Sequence, residues 1–297
     1  MLKRFLHCPQ AVTGAVLTVI LLSGAVFAPW LAPHDPYEQC LMNDLEAPSP
    51  EYPMGTDDFG RCTFSRVLWG GRISLTAGIA TTLISALIGV PLGLIAGFAG
   101  GKTDRLIMGI CDVFLAFPGL IIALAIAGIM GPGMMSIVFA LSSVGWMGYT
   151  RVVRSRVLSE REQEYIKAAE AMGVKKTRIR IRYLLPAVMP SVLILLGTGV
   201  GRNILATASL SFLGVGVRKP AAEWGSMLSA GKDYIYQSIY MTLFPGAAIM
   251  LSVLAFNTLG EGLREIINPK NQMENCRLHR GLYKHRKIFN LKKEVKL

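Results

Sequence analysis

The stretch RVVRSRVLSEREQEYIKAAEAMGVKKTRIRIRYLLP, residues 151–186, is an Arg/Lys-dense polar loop set between two strongly apolar stretches. It carries Ala168-Ala169-Glu170-Ala171-Met172-Gly173 and then Leu185-Pro186. Long basic loops stay on the cytoplasmic side of a membrane. A loop that also builds a short helix, a glycine break and a second short element presents a docking surface there.

The sequence around this loop belongs in lipid. Hydrophobic residues make up 52% of the chain and charged residues 17%, too apolar for a soluble domain of this size. Uncharged runs cover 11–31, 73–101 and 234–259, each meeting the roughly 20 residues a helix needs to cross a bilayer. The run 106–150 holds one charge, Asp112, and the run 183–217 holds one, Arg202. The first of these is too long for a single crossing, and Gly131-Pro132-Gly133 breaks it, because proline removes a backbone donor and glycine frees the chain. The expectation is an all-α polytopic membrane protein with six transmembrane helices.

Basic residues orient it. With the amino terminus inside, 24 of the 31 Lys/Arg fall in cytoplasmic segments and six in outer ones, as the positive-inside rule requires. The net charge of +12 therefore follows from topology and calls for no nucleic-acid partner. The expected organisation is a cytoplasmic amino terminus over 1–10, a first transmembrane helix over 11–31 and an outer loop over 32–72. A five-helix core over 73–265 contains the loop 151–186, and a basic cytoplasmic tail covers 266–297. The first apolar run is longer than a secretory signal core and lacks a small-x-small cleavage site before Pro29, so it reads as a retained membrane helix.

Within the spans, Gly89, Gly93, Gly97 and Gly101 recur every four residues, and Gly197 and Gly201 repeat the spacing. Such faces let helices approach closely; they serve packing within the chain or a face that meets a partner. Asp112 and Arg202 are expensive in lipid and should face protein or water. Their depths differ by about 13 Å at 1.5 Å per residue, which argues against a mutual salt bridge. Arg202 either lines a solute path, with Asp112 a second candidate, or reaches toward the outer interface. Gly101-Lys102-Thr103 mimics the end of a phosphate loop, but Ala96 occupies the position of its first glycine and no strand precedes it. The five cysteines, Cys8, Cys40, Cys62, Cys111 and Cys276, form no zinc pattern, and the spacing does not require Cys40 and Cys62 to pair. No catalytic constellation and no metal site are visible.

In the loop, Ser159 and Glu162 form a capping box that predicts a helix start. Tyr165, Ala168, Ala169 and Met172 share one small apolar face, and Gly173 stands where a left-handed cap is wanted. Lys175, Lys176, Arg178, Arg180 and Arg182 alternate with Ile179 and Ile181 in a pattern that by itself reads as strand. Leu185-Pro186 begins the next crossing. A merely electrostatic connector accounts for the charge but needs no capped helix.

Ala168-Ala169, Gly173 and Leu185-Pro186 resemble the EAA loop of ABC-importer permeases, with Lys167 where that family's leading Glu is usual. Further similarity is to the second permease of peptide and nickel importers. It is carried by Gly55-Thr56-Asp57-Asp58-Phe59-Gly60-Arg61, by Phe64-Ser65-Arg66 and by Gly70-Gly71-Arg72-Ile73-Ser74-Leu75, with Cys62 where an Asp is usual. Ser211-Phe212-Leu213-Gly214-Val215-Gly216, Glu223-Trp224-Gly225 and Ala255-Phe256-Asn257 continue it. The resemblance implies a type I ABC-importer permease fold in a bacterial or archaeal cytoplasmic membrane, with both termini inside. It implies as partners a second homologous permease, two ATP-binding subunits and an extracytoplasmic solute-binding protein. It makes Ala168, Ala169, Met172, Gly173, Leu185 and Pro186 the ATPase-coupling residues. ATP and Mg would sit on the partner subunits, with no cofactor on this chain. Tyr149-Thr150-Arg151, Arg154-Ser155, Ser159 and Gly201-Arg202 look closer to nickel or metal-chelate permeases, with di- or oligopeptide as the alternative cargo. A self-sufficient secondary transporter is disfavoured because no inverted repeat of interrupted helices is seen, and a membrane-embedded hydrolase because no catalytic set is.

Overall fold

The structure is a computed structural model and describes residues 5–6, 8–218 and 220–267. Most of the basic tail, with Cys276, lies outside the described residues. Helix α1 spans Pro9–Val26, α2 Thr63–Ala99, α3 Gly101–Leu115, α4 Gly119–Met130, α5 Met134–Arg161, α6 Glu164–Ala171, α7 Lys176–Val215, α8 Trp224–Gly231 and α9 Tyr240–Ile267. Among the described residues there is no strand, only an isolated bridge between Thr56 and Cys62.

The expected crossings all fall on helix, though not as six uniform rods. Four helices, α1, α2, α7 and α9, are long and apolar enough to cross a membrane, and the pair α3–α4 adds a fifth if counted as one span. That pair bends by 84°, so the third crossing is broken where one helix was expected. The cause is Pro118, which lacks a donor and disfavours helical geometry at Phe117 before it. The next helix, α5, is 28 residues long; its half up to Thr150 is uncharged and its far half carries Arg151, Arg154, Arg156 and Arg161. The break between α4 and α5 falls at Gly131-Pro132-Gly133, with Gly131 at φ +81°.

Two boundaries move. Helix α2 starts at Thr63 and runs 37 residues, about 55 Å at 1.5 Å per residue, so residues 63–72 are helix where loop was expected. The strand-like alternation around Ile179 is also helix. Ile179, Leu184, Val188 and Val192 are all at most 3% exposed, at spacings of five, four and four. The first spacing exceeds an α-turn because a π-turn spans Arg180–Leu184; the extra residue turns Leu184 back toward the core.

Glycines set the closest seams. A Cβ on Gly89, Gly93 or Gly97 would meet α5 at 2.3–2.7 Å, at Trp146, Thr150, Val153 and Val157. Gly197 abuts Gly260, and Gly201 faces Val253 and Asn257 on α9. Gly101 departs from the predicted stripe. It starts α3 at φ +56° with nothing within 4 Å, because Gly100 and Gly101 turn the chain out of α2. Helix α1 is built into the bundle, with Gly14 against Leu259 and Ala11 against Gly262. Cys8, Cys40, Cys62 and Cys111 are free thiols.

Ahead of α2, a buried knot closes the segment 32–62. The Asp57 carboxylate accepts from Arg61 Nε at 2.7 Å and Arg66 Nε at 3.2 Å. Arg66 Nη1 also donates to the carbonyls of Pro36 and Pro220, at 2.9 and 3.4 Å. The segment is thereby tied to the connection between α7 and α8.

Candidate functional site

The basic loop folds into a foot beneath the bundle. Its helix, α6, is eight residues long, too short to be stable alone, so it exists because one face is anchored. Ile166 is 0% and Ala169 1% exposed. They pack in a cluster with Phe98 of α2, Val153 and Val157 of α5, and Ile179, Leu184 and Val188 of α7. The foot therefore rests on three long helices at once.

The predicted small-residue face splits. Ala169 points inward with Ile166, whereas Tyr165 and Met172 are 46% and 75% exposed and Ala168 is exposed. Sequence reading missed Ile166; its spacing of three from Ala169 was the available signal. The exposed set is uncovered apolar surface at the tip of a polar foot, the kind of surface a partner's groove takes up.

Helix α6 is capped differently from the prediction. Ser159 lies inside α5, which continues to Arg161, and the residue before α6 is Gln163, without a side-chain cap. The capping box is not formed because the tertiary contacts of α5 carry its helix through those positions. At the other end Gly173 has φ +74°. Gly173 N–H donates to Glu170 O at 3.0 Å and Val174 N–H to Ala169 O at 3.1 Å, the paired bonds of a Schellman cap. Leu185 and Pro186 lie more than two turns into α7, whose helix begins at Lys176, so they follow the start of that helix. Leu185 packs on the same cluster and Pro186 is exposed.

Cations brace the foot. Arg161 and Arg180 stand over the Phe98 ring at 5.7 and 4.9 Å from its centroid, and Arg161 Nη1 donates to Gly97 O at 3.2 Å. Both therefore sit at the negative carboxy-terminal end of α2. Lys167 pairs with Glu162 at 3.0 Å, an exposed contact of small energetic weight. Tyr165 donates to Glu160 at 2.8 Å; partial burial and then that bond push its phenol above the ordinary range.

The two intramembrane charges do not meet. Asp112 pairs with Arg151 and, two turns away on α3, Asp104 pairs with Arg154, so α3 is pinned to α5. Arg202 is exposed on α7. Beside it, Asn203 Nδ2 donates to Thr82 Oγ1 at 2.8 Å, and the Tyr149 hydroxyl donates to Leu195 O at 3.3 Å.

Toward the other end of the bundle, Glu223 caps α8. It is 0% exposed and accepts from Gly225 N at 2.9 Å, Ser226 N at 2.8 Å and Ser74 Oγ at 3.2 Å. Burial pushes its carboxyl up, against the opposing pull of the two backbone donors.

Comparison with known proteins follows the same lines. Residues 89–272 match the family described as binding-protein-dependent transport system inner membrane component. Residues 1–48 match the N-terminal TM domain of oligopeptide transport permease C. A glutathione transport system permease protein of Pectobacterium atrosepticum is 40% identical over 90% of this chain and 89% of its own length. A dipeptide transport system permease protein of Alkalihalophilus pseudofirmus is 41% identical over 88% and 86%. A di/tripeptide transport system permease protein of Pseudomonas aeruginosa is 38% identical over 90% of each. Among solved structures, an inward-facing MetNI methionine ABC transporter matches with TM-score 0.57 at 18% identity, over 67% of this chain and 95% of that one.

Proposed function

This chain belongs to the binding-protein-dependent transport inner-membrane family and is the permease of an ABC importer, and we propose that its cargo is a small peptide. The relatives named for dipeptide, di/tripeptide and glutathione transport support this over the nickel or metal-chelate cargo expected from residues 149–159 and 201–202. The few positions that favoured nickel are outweighed by similarity along nine-tenths of the chain.

In this reading a second, similar permease encloses the path with this one, and an external binding protein delivers solute. Two ATP-binding subunits dock below and hold ATP and Mg, so this chain carries no ATPase site. Both termini and the foot face the cytoplasm of a bacterial or archaeal cell. Closure of the ATPases pushes on Tyr165, Ala168 and Met172. Ile166 and Ala169 pass the displacement to α2, α5 and α7, which tilt as rigid bodies.

The observation that carries the coupling role is the foot's division into an anchored face and an exposed one. Gly173→Pro tests it, because proline cannot adopt φ +74° and removes the bond from Gly173 N to Glu170 O. The expected result in proteoliposomes holding the whole importer is normal insertion with loss of peptide-stimulated ATP hydrolysis. Normal stimulation would reject the coupling role. Uptake of labelled nickel but not of a labelled dipeptide would reject the cargo. Uptake by this chain alone would reject a separate motor.

A further inference from the structure

We infer that Arg202 supplies the positive charge that holds the terminal carboxylate of a peptide during its passage. This deepens the peptide-cargo reading and rests on it.

Arg202 lies within the long helix Lys176–Val215, 26 residues beyond Lys176 and 12 short of the kink at Gly214. Those separations are about 39 Å and 18 Å along the axis, so neither end of the helix is within reach of one side chain. A guanidinium at that depth cannot face hydrocarbon without a large cost, and it needs either a counter-charge or water.

Among the described residues none supplies that counter-charge. Asp104 and Asp112, the acids on α3, are taken by Arg154 and Arg151. The polar groups around Arg202 are neutral. Tyr149 is near enough to feel its charge but spends its own hydroxyl on Leu195 O, and Asn203 is bound to Thr82. The neighbours of Arg202 on either side along the helix, Gly201 and Asn203, turn toward α9 and α2. Arg202 is left exposed on a strip of α7 that continues through the exposed Leu205.

One and two turns further along that strip, Leu205 and Ser209 line an open groove of about 780 Å³, walled by Ile249, Met250, Val253 and Leu254 of α9. A fixed cation beside an apolar groove is complementary to a molecule with one anionic end and an apolar body. A di- or tripeptide with a free carboxyl terminus has that character. A guanidinium also meets a carboxylate through two parallel hydrogen bonds.

The test uses the assembled importer in nanodiscs without its binding protein. Binding of radiolabelled alanyl-alanine is compared with that of alanyl-alanine amide, which lacks the anion. The wild type should bind the acid roughly tenfold or more tightly than the amide, Arg202→Gln should bring the two together, and Arg202→Lys should keep part of the preference. An equal affinity of wild type for acid and amide would overturn the inference, even if Arg202→Gln failed to assemble. So would an unchanged preference in Arg202→Gln. Arg202→Gln and Arg202→Lys complexes that both lose the second permease on purification would place the counter-charge on that neighbour, and would also overturn it. Failure of the cargo reading is separate: it appears as wild-type proteoliposomes that take up no dipeptide.

Discussion

At the scale of single residues, Ala168 and Ala169 are neighbours with opposite duties. Ala169, 1% exposed, fills the seam under three helices, while Ala168 and Met172 look out. Met172→Glu and Ala168→Glu should therefore leave protein level and melting temperature unchanged and, on the coupling role proposed above, cut substrate-stimulated ATP hydrolysis at least roughly tenfold, since that role would place the charge in an interface core. Ala169→Glu should lower abundance in the membrane as well, because it buries an unpaired carboxylate; immunoblotting and ATPase assay separate the two cases. Glu223 yields a pH prediction. Its folded-state carboxyl is raised by burial, so the folded protein retains a proton that an unfolded chain releases above about pH 4.3. The stabilisation is complete below that pH and is lost as pH rises through the folded-state value. Thermal unfolding in detergent should show stability declining on that side, and Glu223→Gln should flatten the slope.

At the scale of elements, the closest seams are set where glycine lets backbones approach. The seam of α2 with α5 depends on Gly89, Gly93 and Gly97, and a methyl on Gly93 would stand 2.7 Å from Thr150 O and from Val153 Cβ. Neither atom can swing aside, since both belong to the rigid body of α5. Gly93→Ala should cost about 1–3 kcal/mol by overpacking, read as a lowered midpoint of thermal unfolding. Gly128→Ala, with nothing within 4 Å, should be neutral or slightly stabilising through helix propensity. Equal effects at the two positions would contradict the seam. The periodicity of these glycines was legible in the sequence. The exception at Gly101 was not, because a four-residue repeat runs on past a helix end that only the positive φ of Gly100 and Gly101 reveals. The capping box at Ser159 and Glu162 failed for a related reason: a local cap competes with the continuation of a packed helix, and α5 gains more by continuing. The strand-like alternation at residues 175–182 gave way likewise to a π-turn that brings Ile179 and Leu184 to one face.

For the molecule as a whole, the segment ahead of α2 and the connection between α7 and α8 are joined through Asp57, Arg61 and Arg66. Asp57→Asn would leave Arg66, 5% exposed, without its carboxylate partner, at a cost of about 3–5 kcal/mol. Limited proteolysis should then cut within residues 32–62 of the variant and spare the wild type. The six crossings expected resolve among the described residues into four spanning helices and one bent pair. The apolar segments and the break at residues 131–133 could be read from composition and spacing alone, because cost in lipid and turn geometry are local properties of residue types. Which charge pairs with which could not. Asp112 meets Arg151, 39 positions away, and Arg202 is left with no carboxylate among the described residues. Pairing depends on helix rotation and tilt, which are set by side chains distant in the chain. For the same reason folding alone decided that Ala169 is buried while Met172 is exposed: a short helix shows its apolar face in sequence, but only the floor it rests on determines which part of that face is covered.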